Sequence, residues 1–195
     1  MLEFARTGMA VLSASIALGA YFPYGRDIAR GRVQPARAAR IMLTLLIVLA
    51  LVQQRSLGSG LALAITIGET IGSIAILSLA MKHGIGGLRK LDLICYGLLA
   101  IDVLIWLLTG SAVLALILTI VADSIAFWPT LHKTWHDASS ETVSFFWLGA
   151  LAPVLSLLAQ NHLTYSVAVF PAYIAVANLL EVSLIYRLPQ KIASL

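Results

Sequence analysis

Apolar runs long enough to cross a bilayer follow one another along almost the whole chain, with only short polar turns between them. A spanning helix needs roughly 20 mostly apolar residues. Seven stretches approach or reach that length: Gly8 to Tyr24, Ala38 to Gln54, Gly58 to Met81, Leu91 to Leu108, Ala112 to Leu131, Thr142 to Gln160 and Thr164 to Tyr186. The fourth and fifth are divided only by Thr109-Gly110-Ser111, which reads as a tight turn. Charged residues make up 11% of the chain and hydrophobic ones 60%, whereas a soluble domain carries roughly 25% charged residues. There is too little polar side chain to coat a globule in water. The expected class is an all-α integral membrane protein, multi-pass, with no soluble domain or long linker. The apolar stretch behind Glu3 and Arg6 shows no small-residue cleavage site and reads as a retained first span. Cys95 is the single cysteine, so an internal disulfide is excluded.

Seven spans place the first, third and fifth loops and the C-terminus on one side. That side would hold the five arginines from Arg26 to Arg40, then Lys82, Arg89, Lys90, Lys133, Arg187 and Lys191. The other side would hold Arg6 and Arg55, so the 13 basic residues divide 11 to 2. Cytoplasmic loops carry the Lys/Arg excess. The N-terminus is therefore expected outside and the C-terminus in the cytoplasm, in an inner or plasma membrane of bacterial type. The net charge of +4 then reports topology and lipid headgroups rather than nucleic acid.

A pattern recurs within the chain. "AYFPYGRDIARGRVQPARAARIML" starts at Ala20 and "AFWPTLHKTWHDASSETVSFFWLG" at Ala126. The offset of 106 lays Pro23 on Pro129 and the aromatic pair Tyr21-Phe22 on Phe127-Trp128. In both copies an aromatic-aromatic-Pro triplet precedes a polar loop into the next span. Internal repeats decide architecture, and this one predicts three spans, a connector and three spans. An odd connector makes the halves enter the membrane in the same direction, as parallel repeats about an axis along the membrane normal. The expected units are a first three-helix bundle over 1–90, a connector helix over 91–110 and a second bundle over 111–195. Proline within a helix removes a backbone hydrogen bond, and in a membrane the freed carbonyl favours cavities. Pro23, Pro129 and Pro153 are thus hinge or gate candidates, with Pro171 a further kink in the last span.

The repeat, the seven spans and the proline before each first cytoplasmic loop resemble the SWEET and PQ-loop transporter superfamily. "WPTLHKTWHDASSETVSFFWL" is similar to that family's signature proline and following polar loop. Neither copy has the Pro-Gln dipeptide, since Tyr24 follows Pro23 and Thr130 follows Pro129. Span two also lacks a counterpart of Pro153. The resemblance implies transport of a sugar or other small polar metabolite by alternating access, as a uniporter or with proton coupling. It also implies that the third helix of each bundle supplies polar residues to a central site. An offset of 109 pairs Glu69 with Asn178, so these two are the expected substrate-binding residues, facing each other across the pseudo-twofold axis.

Ionisable groups within a membrane are costly and usually functional. Glu69, Asp102 and Asp123 fall near the middle of spans three, four and five. Glu69 and Asp123 are the proton-coupling candidates; hydrogen bonds to Thr66, Thr70 or Ser73 are the passive alternative. Asp102, on the connector, is expected to make a structural hydrogen bond, and Glu181 to reach the interface near Arg187. Trp106, Trp128, Trp135 and Trp147 lie near span ends, where interface anchoring is the ordinary role. Trp128 abuts Pro129 and is the tryptophan expected to line the pathway by stacking on a flat or sugar-like ligand. His132 and His136 share a helix face, but with Asp137 they make a poor metal site, and neither metal nor cofactor is expected. The Gly68 to Gly72 spacing suits close packing within a bundle or pairing between protomers of a homo-oligomer.

Other classes fare worse. A retinal photoreceptor needs a lysine in its last span, yet Lys82, Lys90, Lys133 and Lys191 all fall in loops or the tail. No HExxH, GxSxG or paired-histidine motif supports an enzyme. A receptor or cargo-binding protein of the same fold, without transport, is the main alternative.

Overall fold

The computed structural model describes residues 1–86 and 90–192, with the backbone alone for Leu91 and for 188–192. Arg89, one of the basic residues counted for orientation, and the side chain of Lys191 lie outside what is described. The described residues form seven α-helices: α1 (Leu2–Ala29), α2 (Arg37–Ser56), α3 (Leu63–His83), α4 (Lys90–Thr109), α5 (Ala112–His136), α6 (Val143–Leu158) and α7 (Tyr165–Ile192). Each coincides with an expected apolar run. Five of them are long and apolar enough to cross a membrane, namely α2, α3, α4, α5 and α7. That is fewer than the seven spans expected. α6 has 16 residues, about 24 Å of helix against a hydrocarbon core of about 30 Å. α1 is long, with 28 residues, but its ends carry Glu3, Arg6, Arg26 and Asp27.

Local chemistry sets the boundaries. α1 places Glu3 in its first turn and Arg26 in its last, matching the sign of the helix dipole at each end. Gly110 takes φ +65 between α4 and α5, a left-handed conformation that glycine adopts without strain. Ser111 then caps α5, its side chain accepting from the Leu114 amide. Asp137 ends α5 and accepts from the Ser139 amide and hydroxyl at 3.0 and 2.6 Å; those bonds hold its carboxyl below the usual range. The loop after α1 is fastened to the end of α3, with Arg37 donating to the Ile85 carbonyl and Ile85 to that of Pro35.

Six helices close a ring in the order α1, α3, α2, α5, α7, α6, and α6 returns to α1. In each half of the chain the first helix packs on the third and the third on the second. α4 stands outside, against α5 and α2. The surface is inverted relative to a soluble protein. Leu107 (77% exposed), Leu108 (76%) and Phe22 (76%) face outward, whereas Gln53, Gln54, Asp102 and Glu181 are wholly buried. Only an apolar solvent makes that arrangement favourable, and an integral membrane location fits it.

The interior is filled by small and polar residues that let helices approach. A Cβ on Gly68 would stand 2.5 Å from the Ala14 carbonyl oxygen, and one on Gly72 would strike the Tyr21 ring. The Gly68 to Gly72 pair therefore serves contact between α1 and α3 within one chain.

Candidate central cavity

Every helix of the ring contributes to a cavity of about 120 Å³ at its centre, and α4 contributes nothing. Its charged and amide groups are Arg40 from α2, Glu69 from α3, Asp123 from α5 and Asn178 from α7, with hydroxyls on Tyr21, Ser73 and Thr130. Aromatic rings supply the walls: Tyr21 from α1, Phe127 from α5, Phe145 and Phe146 from α6. Glu69 and Asn178, paired in the sequence by repeat position, thus line one cavity.

The polar groups differ in how far they are satisfied. Asp123 accepts a 2.6 Å hydrogen bond from the Tyr173 hydroxyl at Oδ2. Asn178 donates its amide N–H to the Ile174 carbonyl at 2.8 Å, and the bare backbone at Gly149 makes room for it. Ser73 pairs with the Thr44 hydroxyl at 2.9 Å. Glu69 is 7% exposed and, among the described residues, makes no hydrogen bond or ion pair, with Oε2 buried and partnerless. The hydroxyls proposed as its passive partners are used elsewhere: Thr66 bonds Gln54, Thr70 bonds the Thr66 carbonyl, and Ser73 bonds Thr44.

Arg40 is the residue that sequence reasoning misplaced. By charge it belongs with the loop arginines, but it sits one turn inside α2 and lines the cavity. Its guanidinium lies 4.8 Å over the Tyr24 ring and hydrogen-bonds the Tyr24 hydroxyl. Beyond it opens a second cavity of about 130 Å³, where Tyr24, Arg40, Pro129, Thr130, Lys133 and Glu141 meet. The two cavities share Arg40, Leu43 and Thr130, so the Arg40–Tyr24 pair stands at the partition between them. Lys133 and Glu141 form a 2.6 Å ion pair within the second cavity. A signal for Arg40 existed in the sequence, since it lies three residues into a helix that opens at Arg37, but its direction depends on how α2 meets α1.

Other sequence-based candidates lie elsewhere. Trp128 is 60% exposed and lines an outer groove with His132, Trp135 and His136, not the central cavity. The α5 face that carries Phe127 turns inward, and its neighbour necessarily turns away. The His132 and His136 rings lie 4.5 Å apart, tilted by 41°, and among the described residues no group of three or more metal-ligating side chains assembles. Pro23, Pro129 and Pro153 all fall inside helices, and of these Pro129 borders the second cavity. Glu181 does not reach the interface: it is wholly buried and accepts from the Thr134 hydroxyl, while Arg187 lies over the Trp135 ring. Asp102 joins a buried network in which Gln53 donates to both its oxygens at 3.3 Å. The Thr119 hydroxyl reaches Asp102 and also the Gln53 carbonyl oxygen at 2.9 Å. The network ties α4 to α2 and α5. Compared with protein-family models, curated proteins and solved structures, the chain matches none.

Proposed function

We propose that this chain is a membrane transporter for a small polar molecule, built as two parallel three-helix bundles (1–90 and 111–195) around the connector 91–110 and working by alternating access. The observation that carries the reading is the central cavity: an unsatisfied carboxylate, a second carboxylate, an amide and a guanidinium converge there from both halves of the chain. Buried polar groups in a membrane are costly unless they serve a ligand or a pathway. The shared helix order, α1–α3–α2 and α5–α7–α6, supports the parallel repeat and the likeness to SWEET and PQ-loop transporters.

The geometry also suggests how access alternates. One end is closed by the Arg40–Tyr24 pair. Toward the other, the ring is packed shut by Ala50 against Leu116 and Phe170, and by Ala17 against Ile65 and Ala152. Pro23 immediately precedes Tyr24, and Pro129 immediately precedes Thr130, so each repeat proline adjoins a residue at the partition. Bending at these prolines separates Tyr24 from Arg40 and joins the two cavities. Glu69 and Asp123 are the groups that would carry protons if transport is coupled.

The test is flux in liposomes holding the purified chain, with small sugars, amines and amino acids, with and without a pH gradient. Flux that follows the gradient in the wild type, but not in Glu69→Gln or Asp123→Asn, establishes coupling. Indifference to the gradient with normal flux in both variants leaves facilitated diffusion. Ligand binding with no flux of any solute removes transport in favour of a recognition protein.

A further inference from the structure

The charged and amide groups of the central cavity present acceptors to a ligand. Glu69 has no hydrogen-bond donor among the described residues, and its Oε2 is buried. Asp123 spends Oδ2 on Tyr173 and keeps Oδ1. Asn178 gives one of its two N–H groups to the Ile174 carbonyl, and its Oδ1 accepts no hydrogen bond among the described residues, so it can act as an acceptor. Among the described residues Arg40 is the cationic group in the lining, and it is engaged with Tyr24 at the partition. The hydroxyls of Tyr21, Ser73 and Thr130 donate or accept as required and so do not set the ligand's character.

Resting on the transporter reading above, we propose that the central cavity binds a small primary ammonium ion, its N–H groups shared among Glu69, Asp123 and Asn178 and its alkyl body against the aromatic rings. Two carboxylates share the lining with one guanidinium, whose charge the neutral Tyr24 hydroxyl does not cancel, so with both acids ionised the lining carries one net negative charge for an incoming cation. A carboxylate kept from water without a partner is destabilising, and a ligand ammonium relieves that. Charge-assisted hydrogen bonds are roughly twice as strong as neutral ones. An ammonium head carries three N–H donors, as lysine does, which matches three acceptors from three helices. The Tyr21, Phe127, Phe145 and Phe146 rings suit an alkyl chain beside a positive charge. The volume, about 120 Å³, is below the ~150 Å³ that encloses a benzene ring, so the ligand has about four to six heavy atoms.

The test is calorimetric titration of the full chain, purified in detergent, with n-butylammonium, tetramethylammonium, n-butanol and butyrate, which are similar in size but differ in charge and donors. Butylammonium should bind about tenfold or more tightly than each of the others. Glu69→Gln should weaken it by a similar factor, and Glu3→Gln, at the chain's start, should not. Equal binding of tetramethylammonium, butanol or butyrate overturns the inference, as does unchanged binding in Glu69→Gln or no butylammonium binding in the wild type. Should Glu69→Gln fail to fold, Asp123→Asn and the ligand series on the wild type decide. Butylammonium binding without flux in liposomes removes the transport reading and upholds this one; flux of a neutral solute with no ammonium binding does the reverse.

Discussion

Gly149 shows how much a missing side chain decides. A Cβ there would come within 2.6 Å of Asn178 Oδ1, so Gly149→Ala should turn the amide away from the cavity. Ligand affinity should fall while helix content by circular dichroism stays unchanged. Gly68 acts on packing instead. Gly68→Ala drives a methyl into the Ala14 carbonyl, and overpacking of this kind costs about 1–3 kcal/mol, which a lowered Tm in detergent would register. Asp102 is a third case. Removing its carboxylate by Asp102→Ala strips Gln53 of its acceptor, and a buried group left unsatisfied costs about 1–3 kcal/mol. Stability should drop, whereas affinity at the central cavity, which Asp102 does not line, should not.

At the scale of elements, α1, α2 and α5 meet at the partition. The Arg40–Tyr24 contact joins α2 to α1, and Thr130 on α5 completes the wall between the cavities. Arg40→Ala removes both the stacking and the hydrogen bond. A cysteine placed at Ser73 should then react with a water-soluble thiol reagent several-fold faster than in the protein that keeps Arg40, and an unchanged rate would place access elsewhere. Cys95 is buried and contributes little background. Farther out, Asp27 at the end of α1 accepts from Thr142 ahead of α6 at 3.0 Å and pairs with Arg32. The α1–α6 seam is thereby pinned near its loops as well as by Ser13, which donates to the Ala152 carbonyl at 2.6 Å.

For the molecule as a whole, orientation is the open physical consequence of the charge asymmetry. Cysteines at Arg30 and His136, both exposed, should label from the cytoplasmic side alone, and one at Asn161, also exposed, from outside alone. The reverse pattern would overturn the assignment of sides. Gly31 and Gly58 are unsuitable positions, because their φ values of +71 and +68 strain any side chain placed there.

Hydropathy alone determined that the chain is helical and apolar, and where each helix lies, because burying a backbone in hydrocarbon leaves the helix as the way to satisfy its own hydrogen bonds. The spacing of the prolines and the offset of 109 from Glu69 to Asn178 likewise needed only the sequence, since both are properties of order along the chain. The tertiary structure decided what those residues meet. Phe127 faces the cavity and Trp128 the outer groove, a choice set by the rotation of α5 against α2 and α7 rather than by composition. Arg40 reads as one more loop cation until α1 brings Tyr24 beneath its guanidinium. Glu69 and Glu181 are both carboxylates in apolar helices, yet Glu181 accepts from Thr134 at Oε1 and leaves only Oε2 unpaired, whereas Glu69 has no donor on either oxygen among the described residues. Side-chain partners come from helices distant in sequence, and the packing that brings those helices together also fixes which buried charge is left free for a ligand.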